Sequence, residues 1–200
     1  MPKKVDHEQR RAMIATAAAS CIADQGLQGT TMRAIALSSD VSKGIVEHYF
    51  ADKDEVIAAA LEQMNIRYLR REQRQTRGLT GLDALRGRLH AILPLRSDSR
   101  DEWKIRLCFW SVAAIETGRG REQQKRLKLT RKRYENDLQE AVELGEIPAQ
   151  TDIKQVAGDL TLFMAGACCG AMLEPRYYSA RHLRELIERT LQNLTREPIP

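Results

Sequence analysis

The 200-residue chain reads as all-α: a small N-terminal three-helix helix-turn-helix domain, then a larger helical body, about nine helices in total. Three observations predict this. Apolar residues recur at i, i+3 and i+4 along most of the sequence, and few β-branched runs alternate with period two. Prolines are few, six in all, so long helices go uninterrupted. Two short helical patterns separated by Ser38-Ser39-Asp40 fill the stretch from Thr31 to Phe50.

Residues 1–7, opening Met1-Pro2-Lys3-Lys4, are expected to form a mobile arm. A first helix is expected from about Glu8 to Gln25, with Met13, Ile14, Ala17, Cys21 and Ile22 on one face and Gly26 as its C-cap. It should pack across both helices that follow. Its Arg10 and Arg11 read equally as DNA-flanking or as solvated surface. Thr30 or Thr31 caps the next helix, because a threonine oxygen accepts the orphan N–H groups of an opening turn. Met32, Ile35 and Ala36 then face inward. Ser38-Ser39-Asp40 breaks the pattern, since these side chains prefer to bond local backbone. Val41 plugs the turn, Ser42 caps a second helix, and Ile45, Val46, Tyr49 and Phe50 are its expected buried stripe. Helices this short are marginal alone, below about 12–15 residues. Two of them braced by a third leave the leading end of the second free to enter a DNA major groove.

These residues carry a specific resemblance. Thr31…Ile35-Ala36, Val41-Ser42-Lys43-Gly44, His48-Tyr49-Phe50 and Asp52-Lys53-Asp54-Glu55-Val56 resemble the DNA-binding domain of the TetR (tetracycline-repressor) family. Within it, Gly44-Ile45…His48-Tyr49-Phe50 followed by Asp52-Lys53 is most similar to the betaine-pathway branch, BetI. The resemblance covers about residues 8–57 and is architectural beyond. Two positions depart from it. Asp40 replaces the turn glycine, a change Asp accommodates because it visits the left-handed region. Glu47 stands where the family has tyrosine or a small polar residue. The resemblance implies a DNA-binding domain over 1–52, a ligand-binding and dimerisation domain over 53–200, and a phosphate contact for Lys53.

After Phe50, Asp52 is expected to cap a helix running to about Arg77, with Val56, Ile57, Ala60, Leu61, Met64 and Tyr68 inside. Such a helix packs on the head with one half and on the body with the other, as a lever. Gly78-Leu79-Thr80-Gly81 marks a break. Five helices follow, at about 80–93, 100–117, 120–144, 152–173 and 179–195, with Gly118-Arg119-Gly120 read as a break, Asp152 and Ser179 as caps, and Pro94 and Pro175 as stops. In the last two, Leu183, Leu186, Ile187, Thr190, Leu191 and Leu194 share a face, and Ala165 to Ala171 is a run of small residues. Packing inside one chain accounts for both. The family resemblance instead pairs 152–173 and 179–195 with their mates in a homodimer, and a dimer reads two half-sites one helical turn apart.

Composition excludes more than it assigns. The net charge of +5 does not lie in the head, where residues 1–50 are nearly neutral, but in Arg67–Arg77 and Arg119–Arg133, which read as solvated helix faces. Cys21, Cys108, Cys168 and Cys169 show no metal or redox spacing and read as reduced core residues suited to the cytoplasm. Leu160–Leu173 is too short for a membrane span and reads as a buried helix. The four histidines form no metal pair, and there is no phosphate loop or nucleophile elbow, so neither enzyme, metal site nor cofactor is expected.

The candidate DNA contacts are Thr31, Arg33, Ser42, Lys43, Gly44, Glu47, His48, Tyr49 and Lys53. Lys43 reaches guanine or phosphate, Gly44 admits the groove closely, and Glu47 suits cytosine N4 or is held away. His48 and Tyr49 suit phosphate, with Tyr49 equally readable as core. In the body, Trp103, Phe109, Trp110, Glu116, Tyr134, Phe163 and Met164 are candidate contacts for a small-molecule effector, with plain core packing as the competing reading. The BetI resemblance implies choline or a related quaternary amine, which suits an aromatic cage. A transcriptional regulator released from an operator by an inducer is therefore expected. An architectural DNA-binding protein, or an activator of the same fold, is the alternative.

Overall fold

The computed structural model describes residues 2–195, with side chains from His7 onward. Met1 and the side chains of Pro2, Lys3 and Lys4, part of the expected arm, lie outside the described residues. All regular structure among the described residues is helical: α1 (Pro2–Gly29), α2 (Met32–Ser38), α3 (Lys43–Tyr49), α4 (Lys53–Thr76), α5 (Gly81–Ile92), α6 (Ser97–Ala113), α7 (Thr117–Glu143), α8 (Ile153–Leu173) and α9 (Ala180–Leu194). The chain divides into two compact units, one of residues up to Leu69 with Arg100–Val112, the other of Arg70–Ser99 with residues from Ala113 on.

In the first unit α1 begins at Pro2, before the expected Glu8, since proline is well suited to an opening helical turn. Gly26, at φ 68°, breaks its helical geometry. Ile14, Ala15, Ala18, Ala19, Cys21 and Ile22 form the buried face, whereas Met13 lies at its edge, 39% exposed. α1 packs on α2 and α2 on α3. Within α4, Val56, Ile57, Ala60, Leu61, Met64 and Tyr68 are all buried, as their spacing requires.

In the second unit α5 packs on α7 and α9, and α7 on α8. Leu85, Leu89, Tyr134, Leu138, Met164, Cys168, Leu183 and Ile187 make its core. α5 opens without a side-chain cap from Thr80; instead Glu146 Oε2 accepts the Leu82 N–H at 2.7 Å and Glu140 the Gly81 N–H at 3.3 Å. Glycine suits this position, with φ 55° and the Glu146 carboxylate 2.3 Å from where a Cβ would stand, so a side chain there would displace the carboxylate that accepts the Leu82 N–H. The break expected at Gly118–Gly120 lies instead at Ala114–Glu116, and both glycines sit in the first turn of α7. A Cβ on Gly120 would meet the Ala113 carbonyl at 3.0 Å, so the glycine serves a close turn rather than a stop.

Helix α8 is not the buried helix its sequence predicts. At 21 residues, with mean hydropathy 1.6 in its most apolar window, it is long and apolar enough to cross a membrane, yet only a third of that window is buried. Leu162 and Leu173 stand 75% and 80% exposed.

Candidate nucleic-acid interface

The helix-turn-helix is built by local caps. Thr31 Oγ1 accepts the Ala34 N–H at 3.1 Å and opens α2, while Thr30 turns inward and donates to the Gly26 carbonyl at 2.8 Å. The chain leaves α2 through Ser39, whose hydroxyl donates to the Ile35 carbonyl at 2.6 Å. Asp40 follows at φ 53°, the one non-glycine residue in the left-handed region among the described residues. Ser42 then caps α3, its Oγ accepting the Ile45 N–H at 3.3 Å.

Val46 and Phe50 seat α3 inward, 0% and 1% exposed. Arg11 braces this helix from behind, a role the sequence did not suggest. Its guanidinium lies 4.2 Å over the Phe50 ring, donates to the Tyr49 carbonyl, and pairs with Glu55 at 2.7 Å. Glu55 also accepts the Ala51 N–H at 2.7 Å, and Asp52 caps the turn by accepting the Glu55 N–H at 2.8 Å. The Ala51 N–H and Arg11 together hold the Glu55 carboxyl below its ordinary range. Lys53 donates to the Leu27 carbonyl at 2.7 Å, tying the start of α4 to the end of α1.

The outward side of α3 carries most of the residues singled out from sequence. Ser42, Lys43, Gly44, Glu47 and His48 are exposed, and Thr31 and Arg33 are exposed on or beside α2. Lys43 and Glu47 pair with each other at 2.8 Å. Tyr49 is half-buried, its ring centroid 4.6 Å from His7 and 5.2 Å from His48. A Cβ on Gly44 would meet nothing nearer than Ser42 Oγ at 3.9 Å, so the fold itself does not demand glycine there. Ile45 departs from the sequence expectation: it is 40% exposed rather than part of the buried stripe. With about 100° per residue, Ile45 stands about a quarter-turn from Val46, at the edge of the helix.

The effector candidates fall into both units. In the first, Trp103 is buried and meets Trp110 edge-on at 5.7 Å, and Phe109 is buried in the same helix. The Arg106 guanidinium lies 4.7 Å over the Trp103 ring and 5.5 Å over Tyr68. Trp110 Nε1 is buried with no acceptor among the described residues. In the second, Tyr134 and Met164 are buried, Phe163 is half-buried, and Glu116 is exposed and pairs with Arg119 at 2.7 Å.

Sequence reading missed a buried charge cluster in the second unit. Arg88 grips Asp137 with two bonds of 2.6 and 2.9 Å and donates to Glu72, which also pairs with Arg133 at 3.0 Å. Burial pushes the Asp137 carboxyl up while Arg88 pulls it back; burial also works against the Arg88 charge, but Asp137 and Glu72 together outweigh it and keep the guanidinium charged. Glu72 was within reach of a pattern, for it extends the inner stripe of α4 by four residues beyond Tyr68. Arg88 and Asp137 give no local signal, being 49 residues apart.

Residues 14–60 match the bacterial regulatory proteins of the tetR family, and residues 82–196 match the BetI-type transcriptional repressor C-terminal region. The regulator BetI of Burkholderia mallei is 36% identical over 120 residues, 58% of this chain; the chain spans 60% of that relative's length. Among solved structures, a transcriptional regulator from Rhodococcus sp. Rha1 superposes with a TM-score of 0.78 at 25% identity, covering 92% of this chain and 95% of that one. A putative transcriptional regulator from Saccharomonospora viridis, in complex with choline, superposes at 0.85 with 18% identity, covering 95% and 99%. These groups are regulators and not enzymes. The chain belongs to the TetR family of bacterial regulatory proteins, with a C-terminal region of the BetI repressor type.

Proposed function

We propose that this protein is a cytoplasmic repressor that binds a palindromic DNA operator as a homodimer and is released by a small-molecule inducer. The observation that carries the DNA half is the crown of α3. Its exposed glycine is needed by neither the backbone nor the packing of the fold, so a surface approaching from outside is what favours it. The division into a DNA-binding domain over 1–52 and a ligand-binding and dimerisation domain over 53–200 is part of this reading.

Lys43, Glu47 and Gly44 face base edges, and opening the weak Lys43–Glu47 pair frees each for guanine and cytosine respectively. Ser42 uses its oxygen as a cap and keeps its hydroxyl hydrogen for a phosphate. Thr31, Arg33, His48 and Tyr49 contact the backbone. Lys53 spends one donor on Leu27 and has two left for a phosphate.

The second copy docks on α8 and α9, corresponding to 152–173 and 179–195. Gly158, Leu162, Gly166, Cys169 and Leu173 lie along one side of α8, and a Cβ on Gly158 or Gly166 would meet nothing within 4 Å. That side is apolar and open in the single chain, which favours a protein partner over solvent. Gly170, by contrast, packs on Tyr178 of its own chain, 3.0 Å from its ring.

The inducer is choline or a related quaternary amine. The choline complex of the Saccharomonospora viridis regulator supports that class, as do the tryptophan faces of α6 and the unpaired Trp110 N–H, which suits an alcohol oxygen. Trp103, Phe109 and Trp110, which lie together on α6 in the first unit, are its proposed contacts; the other candidates, Glu116, Tyr134, Phe163 and Met164, belong to the second unit. Release follows when the inducer prefers a conformation that binds DNA less well, and the coupling is reciprocal.

Selection of duplexes from a random pool by the full chain tests this reading. A palindrome is expected, with binding that weakens steeply with salt as counterions are released. Equal binding to all sequences would instead support the architectural alternative. Retention of full operator affinity by both Lys43→Ala and Tyr49→Ala would refute the assigned contacts.

A further inference from the structure

On one flank of the crown of α3 Lys43 and Glu47 pair with each other, and the opposite flank of the leading turn presents a partly exposed apolar group. Taking Val46 as the inward direction and about 100° per residue, Gly44 and His48 point outward. Lys43 and Glu47 share one flank, and their charges meet at 2.8 Å. Ile45 occupies the opposite flank, 40% exposed, beside a glycine that leaves the surface around it open. Its backbone N–H is held by the Ser42 carbonyl at 3.0 Å and by the Ser42 hydroxyl, so the residue is anchored. Isoleucine is stiff at χ1 in a helix, so its methyl groups need little ordering to make a contact. In the major groove one group matches such a surface, the C5 methyl of thymine.

We propose that Ile45 is a specificity-determining residue that reads a thymine methyl in each operator half-site. The proposal rests on the DNA-binding reading above and adds a base identity to it. Ile45 makes no hydrogen bond to the base, so it contributes discrimination between thymine and bases that lack the methyl, and nothing to the salt dependence of binding.

The test exchanges thymine for uracil, which removes the methyl and leaves every hydrogen-bonding group in place. Duplexes selected by the full-length protein are remade with uracil at one thymine position at a time, in both half-sites. Affinities are measured by fluorescence anisotropy at fixed salt for the wild type, Ile45→Ala and Ile45→Thr. At one position the wild type should lose about fourfold per half-site, or about fifteenfold for the symmetric exchange, the worth of one buried methyl-sized group. Ile45→Ala should bind the thymine and uracil duplexes alike, with Ile45→Thr between the two. Melting curves of the variants establish that the head still folds. Wild type indifferent to uracil at every position, a selected site with no thymine, or Ile45→Ala as sensitive as the wild type would each overturn the proposal. Failure to bind any duplex would overturn the DNA-binding reading itself, and the proposal with it.

Discussion

Replacing Gly44 with alanine separates what the fold needs from what the groove needs. Gly44 is the second residue of α3 and is exposed, and an added Cβ finds only Ser42 Oγ, at an ordinary 3.9 Å. Glycine is less favourable than alanine within a helix by about 0.5–1 kcal/mol, and near a helix end the lower figure applies. Gly44→Ala should therefore raise stability by about 0.5 kcal/mol, which for a chain of this size is about 1–2 °C in Tm. On the proposed reading of α3, the same methyl at the crown would hold the helix away from the base edges. Losing one good base contact costs about 1–3 kcal/mol, so operator affinity should fall by about 5-fold to 150-fold. A thermal melt and an anisotropy titration on one preparation read both effects. Unchanged affinity would show that the crown does not approach DNA, and a lowered Tm would show that the glycine is structural after all. The opposite signs of the two changes are what the reasoning requires.

Other expectations follow from the same geometry. Arg88→Met leaves Glu72 and Asp137 buried without their main cation and should cost about 3–5 kcal/mol, roughly 6–20 °C in Tm. Because burial raises the Asp137 pKa in the folded state, its ionisation opposes folding once Arg88 is gone; the loss in the variant should be full above that raised pKa and shrink as pH falls through it, a sign that melts across a pH series will check. Arg106→Gln uncovers the faces of Trp103 and Tyr68, and a cation–π contact of about 0.5–2 kcal/mol predicts choline binding tighter by about 2-fold to 30-fold in a tryptophan fluorescence titration. Leu162→Glu puts a carboxylate on the open side of α8 and should give a monomer by sedimentation, with operator affinity reduced and the melting temperature of the monomer little changed.

Where one residue type has one local job, the sequence was readable. Asp40 stands where the resembling family has its turn glycine, and aspartate is among the few residues that visit the left-handed region; its φ is 53°. Ser42, Asp52, Asp152 and Ser179 each cap the helix assigned to them, since a cap needs only a side-chain oxygen and an N–H three residues on. The inner stripe of α4 also held, because 24 residues sample its period several times. Where the answer depends on a residue distant in sequence, it was not readable. Arg11 became a brace because Phe50, Tyr49 and Glu55 converge on it, and nothing in the run around Arg10-Arg11 encodes that convergence. The ion cluster of Arg88 was hidden for the same reason.

Ile45 shows where periodicity stops being informative at the site itself. In a helix of seven residues the buried arc is fixed by two side chains, Val46 and Phe50, and an isoleucine one residue before Val46 lies about 100° away, on the margin. Apolar character argues for burial and position argues for exposure, and pattern alone cannot weigh them. The fold centres the helix on Val46 and Phe50, with Arg11 on Phe50 and the Asp40 turn before it, and leaves Ile45 at the margin. A residue left partly outside the packing, with a side chain held stiffly at the surface, is available for recognition. The same logic applies to Gly44, whose helix cost has no internal compensation. On the outward face of α3 both residues are local departures from what the fold alone favours, and such departures become visible only once the packing behind them is known.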